Sequence, residues 1–411
     1  MATYKEQNKL NVPHLRFPEF HGEWEKCEFG DIATGFDYGM NAPAKVFDGE
    51  NKYIRITDID EASSIYNDSD IVSPDGTLTD NYLVNERDIL LARTGASTGK
   101  SYLYNKTDGK LYFAGFLIRA NVLEHNPYFV FAQLHTHRYW KWVSIMSARS
   151  GQPGINSQEY SSFPIYTTSI QEERKISKLL SLLDERIATQ SKLIEKLESL
   201  IKGLEDNLLD NPLWKKTYLR SFMQFFSTNS LSWEQLSYEE GEIRNLHYGL
   251  IHGFLTRGIN SASLPMIKNE AIPKQYTLCQ VGDVAFADAS EDTGEIAKSV
   301  EFVDTIEGDT ICGLHTIHGR DIKNRTVVGF KGFAFNSRYF HNQIKRLAQG
   351  TKVFSITANN LSSCYVYLPD LETQKAIVNL LKTYEAKLLV SKRLLEHYEK
   401  QKQYLLRQMF I

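Results

Sequence analysis

The 411-residue sequence predicts a mixed α/β (α+β) protein: two similar globular domains in a pseudo-two-fold arrangement, each followed by a long helix, with the two helices pairing as an antiparallel coiled coil. Three observations predict this. The chain carries an internal repeat at about half its length. Each copy ends in a heptad-patterned stretch of about 40 residues. The two stretches carry opposite net charge.

The first stretch, TSIQEERKISKLLSLLDERIATQSKLIEKLESLIKGLEDNLL, begins at Thr168, and the second, PDLETQKAIVNLLKTYEAKLLVSKRLLEHYEKQKQYLLRQMF, begins at Pro369, an offset of 201 positions. Apolar residues of the first fall at Ile176, Leu180, Leu183, Ile187, Ile194, Leu197, Ile201, Leu204 and Leu208, broken by Gln190. Those of the second fall at Ile377, Leu381, Tyr384, Leu388, Leu395, Tyr398, Leu405 and Met409, broken by Ser391 and Lys402. Gln190 and Ser391 stand at the same offset, so even the polar interruption repeats. Heptads sustained in this way specify a long helix whose seam needs a partner. At 1.5 Å per residue each helix is about 60 Å long. Ser169 with Glu172 forms a capping box, and Asp370 after Pro369 is a good N-cap. From Gln171 to Asp210 there are seven Lys/Arg against nine Asp/Glu, and from Leu371 to Ile411 eight against four. Opposite charge on similar seams favours pairing the two helices with each other.

The domains follow by subtraction: a lead-in at 1–22, a first domain at 23–167, its helix at 168–210, a linker at 211–231, a second domain at 232–368 and its helix at 369–411. The repeat continues weakly through them. Ser150 to Ser162 matches Gln349 to Ser363, and Tyr166 matches Tyr367. DILLARTGASTG from Asp88 matches DVAFADASEDTG from Asp283. At the front, Glu23-Trp24-Glu25 is set against Ser232-Trp233-Glu234, and Asp37-Tyr38-Gly39 against His247-Tyr248-Gly249. Between the two glycine-rich loops Arg93 becomes Asp288 and, aligned without a gap, Lys100 becomes Glu295.

That first loop contains GASTGKS, which evokes a phosphate loop. It is one residue too short, with Thr94 where the first glycine belongs, and Ser101-Tyr-Leu-Tyr104 after it reads as a strand instead of a helix. The echo of an amino-methyltransferase motif at Asn126-Pro-Tyr-Phe129 lacks its second proline and reads as a helix start with Pro at the first position. Cys27, Cys279, Cys312 and Cys364 show no ligand spacing, and His135-Thr-His137 and His315-Thr-Ile-His318 lack Cys or carboxylate partners at such spacing, so no metal site is expected. The cysteine usage points to a reduced, cytoplasmic protein. A net charge of −3 neither requires nor excludes nucleic acid. No apolar run approaches the ~20 residues of a membrane span.

Two variable domains, each followed by a helix of the form SIQEERKISKLLSLLDERI or DLETQKAIVNLLKTYEAKL, together with LRFPEF…WE at Leu15 to Glu25, DILLARTGASTGK and the LLRQMFI terminus, resemble the specificity subunit of type I restriction-modification systems. The resemblance covers nearly the whole chain. It implies two target recognition domains that each read one half of a split sequence in double-stranded DNA. It also implies a helical spacer on which two methylation subunits dock, with restriction subunits joining for cleavage. S-adenosylmethionine, ATP and Mg²⁺ would serve those partners, and this chain would hold no catalytic residue and no cofactor.

Arg suits guanine, Asn or Gln adenine, and Asp or Glu cytosine. On that chemistry Arg93, Thr94, Ser97, Thr98 and Lys100 in one copy, and Asp288, Ser290, Glu291, Asp292 and Thr293 in the other, are the expected DNA-facing residues. Tyr38, Asn41 and Gln152 join the first set, and His247, Tyr248 and His252 the second. Arg138, Lys141, Arg149, Arg338, Lys345, Arg346 and Lys352 are expected on phosphates. Two other readings remain open at this point: a coiled-coil scaffold with peptide-binding domains, and an enzyme, either a phosphate-loop ATPase or a self-contained methyltransferase.

Overall fold

Asp88 to Ala92 is an apolar run behind an aspartate, and all five residues are buried in the computed structural model, which describes residues 11–61, 63–148, 151–253, 258–259, 261–304, 306 and 308–411. Around that run the first of two units is built, Met1–Gln190 with Leu394–Ile411; the second is Ser191–Arg393.

The principal strands of the first unit are Glu25–Glu28 (β1), Ala33–Tyr38 (β2), Lys52–Ile54 (β3), Asp88–Ala92 (β4), Ser101–Leu103 (β5), Leu111–Phe113 (β6), Leu117–Val122 (β7) and Pro164–Thr167 (β8). Its helices are Pro127–Gln133 (α1), His137–Met146 (α2) and Ser157–Ser161 (α3), followed by Ile170–Leu209 (α4), which continues into the second unit. An antiparallel sheet runs β2-β7-β4-β5, β1 pairs with β8, and β3 lies parallel to β6. Burial on both faces explains the composition of β4. Ile89 and Leu91 pack towards α1 and α2, whereas Leu90 and Ala92 pack with Ile54, Tyr102 and Phe113.

The second unit repeats this plan with Lys215–Tyr218 (β9), Met223–Phe226 (β10), Arg244–Leu246 (β11), Val284–Ala287 (β12), Ser299–Phe302 (β13), Thr310–Cys312 (β14), Thr316–Asp321 (β15) and Tyr365–Leu368 (β16). Its helices are a short one at Tyr248–Gly253 and then Phe330–Ala334 (α5), Arg338–Leu347 (α6), Ala358–Ser363 (α7) and Leu371–Gln408 (α8), α8 returning to the first unit. The sheet runs β10-β15-β12-β13 and ends on a short fifth strand, Gly258–Ile259, parallel to β13; β9 pairs with β16, and β11 lies parallel to β14. No helix of the described residues is long and apolar enough to cross a membrane.

The shared topology corrects the front of the repeat. Residues 211–231 carry β9 and β10, so they belong to the second domain and are not a linker. The counterpart of Trp24, which precedes β1, is therefore Trp214 before β9, not Trp233. Likewise His247 follows β11, whose counterpart is β3, so His247-Tyr248 answers Arg55-Ile56 and not Asp37-Tyr38. Short strands have little local signature, and their partners lie more than 100 residues away.

Both long helices form as the heptads require. In the first unit Ile176, Leu180 and Leu183 share a core with Leu405, Leu406, Met409, Phe410, Trp24 and Phe129. In the second, Ile377, Val378 and Leu381 share one with Leu209 and Phe330, with Leu204 and Leu208 against it. Ile194 is buried; Ile187, Leu197, Tyr384, Leu388, Leu395 and Tyr398 are half-buried. The opposite charges meet: Lys402 pairs with Asp184 at 2.7 Å in the first unit and Lys392 with Glu198 at 2.7 Å in the second. Gln190 and Ser391 are both buried.

Each long helix is also tied to its own domain near its start. Glu173 is fully buried, accepting from the Asn126 N–H at 2.8 Å and facing His125 Nδ1 at 2.8 Å. Its repeat mate Gln374, also buried, accepts from the Val327 N–H at 3.0 Å. Asn126 caps α1 with Pro127 at the first turn, as the sequence suggests.

Two outcomes follow. Leu180→Ala and Leu381→Ala each lower the unfolding free energy by about 2–5 kcal/mol, measurable by urea titration, because both side chains are fully buried in packed cores. The hydrogen bond to Glu173 lifts the His125 pKa above its ordinary value. A pKa raised in the folded state gives stability that is complete below the unfolded value and disappears as pH climbs through the folded one. The stability advantage of the wild type over His125→Gln therefore shrinks as pH rises beyond about 6.5.

Candidate nucleic-acid interface

Backbone contacts fix the first glycine-rich loop. The Arg93 N–H donates to Phe116 O at 3.0 Å, and Arg93 O accepts from Ile155 N–H at 3.0 Å. Gly95 N–H donates to Pro153 O at 2.9 Å, and the Thr98 hydroxyl donates to Gly95 O at 2.8 Å. Two buried tyrosines clamp the end of the loop: Tyr139 OH donates to Gly99 O at 2.8 Å, and Tyr160 OH donates to Ala92 O at 2.6 Å while accepting from Gly99 N–H at 3.2 Å. Gly99 has φ +94°, and a Cβ there would stand 2.8 Å from Val143 Cγ1, so only glycine fits.

Two further segments, at Tyr38 and at Gln152 to Ser157, converge on this loop. The Arg93 guanidinium lies 4.7 Å from the Tyr38 ring centre, and Tyr38 OH accepts from Ser157 N–H at 3.3 Å. Thr94 bridges Gly154, next to Pro153 and the exposed Gln152. Tyr38, Asn41 and Gln152 are exposed, and Arg93, Thr94 and Ser97 half-buried. Other expected contacts are spent elsewhere. Thr98 is buried in the loop's own hydrogen bonds. Lys100 is paired with Glu61 at 3.2 Å and has a largely covered side chain. Arg138 is not a phosphate contact: it donates to Pro164 O at 2.7 Å and Gln133 Oε1 at 3.1 Å and lies over the Tyr166 ring, and burial pushes its pKa down to about 10. Lys141 is exposed on α2, and Arg149 lies outside the described residues.

The second loop uses the same anchors. Asp288 N–H donates to His315 O at 3.0 Å and Asp288 O accepts from Ile356 N–H at 2.9 Å, matching Arg93. The replacement of Arg93 by Asp288 therefore holds in three dimensions; that of Lys100 by Glu295 does not. Ala92 N–H donates to Lys100 O at 2.8 Å, and Ala287 N–H to Lys298 O at 2.9 Å, so the mate of Lys100 is Lys298 and the second loop is three residues longer. Ala297, at φ +57°, takes the place of Gly99. The inserted residues Glu291, Asp292 and Thr293 are exposed and Ser290 half-buried, the turn being held by Asp292 N–H to Ser290 Oγ at 3.1 Å and Gly294 N–H to Asp292 Oδ1 at 2.7 Å.

His247, Tyr248, His252 and Asp288 do come together. Ring centres run from Trp233 to His247 (4.5 Å), His247 to Tyr248 (4.7 Å) and Tyr248 to His315 (5.3 Å), and His315 Nδ1 is 3.1 Å from Asp288 Oδ1. His252 Nδ1 is 3.2 Å from Glu295 Oε2, which also accepts from Lys298 Nζ at 2.9 Å. Burial, and then His315, lowers the His247 pKa, so this ring is neutral at pH 7 and can accept as well as donate. Trp233 and His315 are not among the expected DNA-facing residues because they lie far along the chain from the loop, and Lys298 because a gapless alignment hides the insertion before it. Arg338 and Lys345 line a cleft of about 690 Å³ between α6 and the two long helices, facing Glu198, Glu205, Asp206 and Glu385. Arg346 and Lys352 are exposed.

Gly99→Ala is expected to cost about 1–3 kcal/mol of stability through the left-handed backbone and the Val143 contact, read as a lowered melting temperature.

Comparison with known proteins bears on this arrangement. Residues 21–199 and 313–399 match the family described as type I restriction modification DNA specificity domain. The chain is 24% identical to the type I restriction enzyme MjaVIII specificity subunit of Methanocaldococcus jannaschii, across 98% of this chain and 95% of that one. A putative MjaX specificity subunit from the same organism is 23% identical over the same shares. Among solved structures, the S subunit of a type I restriction-modification system from M. genitalium superposes with a TM-score of 0.62, at 15% identity, covering 97% of this chain and 99% of that one. A chain from a study of complex assembly and conformational transition of the type I R-M system gives 0.53 at 14% identity, covering 98% of each.

Proposed function

Because the chain belongs to the type I restriction-modification DNA specificity family, we propose that its two units read the two halves of a split target in double-stranded DNA while partner subunits perform the chemistry. One observation carries the reading: two domains of the same topology anchor a loop by the same backbone bonds and place opposite charges, Arg93 and Asp288, at its equivalent position. A cation suits guanine and a carboxylate the cytosine amine, so the two units would prefer different bases. Tyr38, Asn41, Thr94, Ser97 and Gln152 would surround Arg93, and His247, Tyr248, His252, Ser290, Asp292 and Thr293 would surround Asp288. Lys141, Arg346 and Lys352 are free to meet phosphates.

Two methylation subunits, using S-adenosylmethionine, would dock on the long helices, and restriction subunits using ATP and Mg²⁺ would join for cleavage. The helices offer a repeated apolar surface for docking: Leu179 and Leu193 on α4 and, at the repeat offset from them, Leu380 and Leu394 on α8, each side chain exposed. Leucines held in water at matching positions fit two copies of one partner.

Methylation mapping in cells tests the reading. Asp288→Ala relaxes discrimination by about tenfold or more at one half of the target and leaves the other half unchanged. A target altered in both halves, or in neither, counts against it. Leu179→Asp and Leu380→Asp each reduce bound methylation subunits from two to one, as read from the mass of the purified complex.

A further inference from the structure

Cys279, Cys312 and His318 have no ligand spacing in the sequence, yet three strands of the second unit bring them together. Cys279 lies just ahead of β12 and donates its N–H to Thr310 O at 2.8 Å; Cys312 ends β14; His318 sits in β15 beside Ala285 of β12. All three are buried, and their ligand atoms lie within 4.8 Å of one another. The two Sγ atoms are 3.6 Å apart. Two thiolates bound at about 2.3 Å to one tetrahedral ion stand about 3.8 Å apart. The sulfur pair is thus already spaced for a shared cation, and well outside the ~2.05 Å of a disulfide.

The histidine is held by a carboxylate, as metal-ligating imidazoles commonly are. His318 Nε2 is 2.7 Å from Asp283 Oδ2, and Asp283 is gripped by Arg320 at 2.8 and 2.7 Å. A carboxylate on one ring nitrogen fixes the tautomer and leaves the lone pair on the other. Two sulfurs and an imidazole are a soft set that selects zinc-like ions over Mg²⁺ or Ca²⁺. We propose that Cys279, Cys312 and His318 form a binding site for a thiophilic divalent cation of the zinc type, with Asp283 positioning the histidine. Three protein ligands leave the fourth position to water. The ion would tie β14 and β15 to the segment before β12, and Cys312 is paired with Leu246, directly ahead of His247 and Tyr248. Binding releases the two thiol protons to solvent, and the dication offsets the two thiolate charges.

The full chain, prepared with reductant and chelator and then freed of both, is titrated with Co²⁺ and afterwards with Zn²⁺. The expected result is one cobalt per chain with a sulfur-to-cobalt charge-transfer band that stoichiometric zinc abolishes. Cys312→Ser removes the band, and His318→Gln weakens cobalt binding by about tenfold or more. A serine in a closed core can itself unfold the domain, so the wild-type spectrum is decisive without the variants. Failure to take up cobalt, cobalt bound without a sulfur band, or a band unchanged in Cys312→Ser overturns the proposal. So does finding Cys279 and Cys312 joined as a disulfide in protein prepared without air.

Discussion

A 40-residue helix with an apolar stripe cannot persist in water unless the stripe is covered, and how α4 and α8 meet that demand organises the rest of the chain. Neither stripe is covered by the partner helix alone. In the first unit Leu180 and Leu183 share a core with Leu405, Leu406 and Met409 and also with Trp24 and Phe129; in the second Leu381 and Ile377 share theirs with Phe330. Helix and domain therefore belong to one packed body within each unit. Glu173 and Gln374 reinforce this from inside, because a buried polar group that satisfies the backbone of the next segment is costly to displace.

The loops show how a protein keeps a scaffold while changing the side chain it presents. Arg93 and Asp288 are both held by their main-chain N–H and C=O, which every residue other than proline possesses. The side chain is thereby released from structural duty. What surrounds it changes with it: an arginine rests on the face of Tyr38, where the ring's negative quadrupole favours a cation, and an aspartate stands beside His315. The tyrosine clamp of the first loop gives way to Phe340 and Leu361 in the second, and the additional length is instead supported by its own side chains at Ser290 and Asp292.

Several positions differ from what local sequence predicts, for one reason. Arg138 has the composition of a phosphate contact, but its stem runs under β8, where two aromatic rings and a carbonyl use its guanidinium. Lys100 was matched to Glu295 because a gapless alignment cannot see a three-residue insertion between fixed hydrogen bonds. Trp233 looks like the mate of Trp24 in sequence because β9, directly behind Trp214, is four residues long and declares itself only by pairing with β16. In each case the deciding partner is distant in sequence.

The sequence by itself determined the long helices and their seams, the duplication and the family resemblance, since heptad spacing acts over at most a few turns and is written in consecutive residues. Tertiary structure alone decided which strand begins the second domain, which loop residues are equivalent, which cations are already committed to carboxylates or carbonyls, and that two cysteines and a histidine spread over 40 positions share one buried pocket. Those are consequences of strand pairing and burial between remote segments, and no local pattern encodes them.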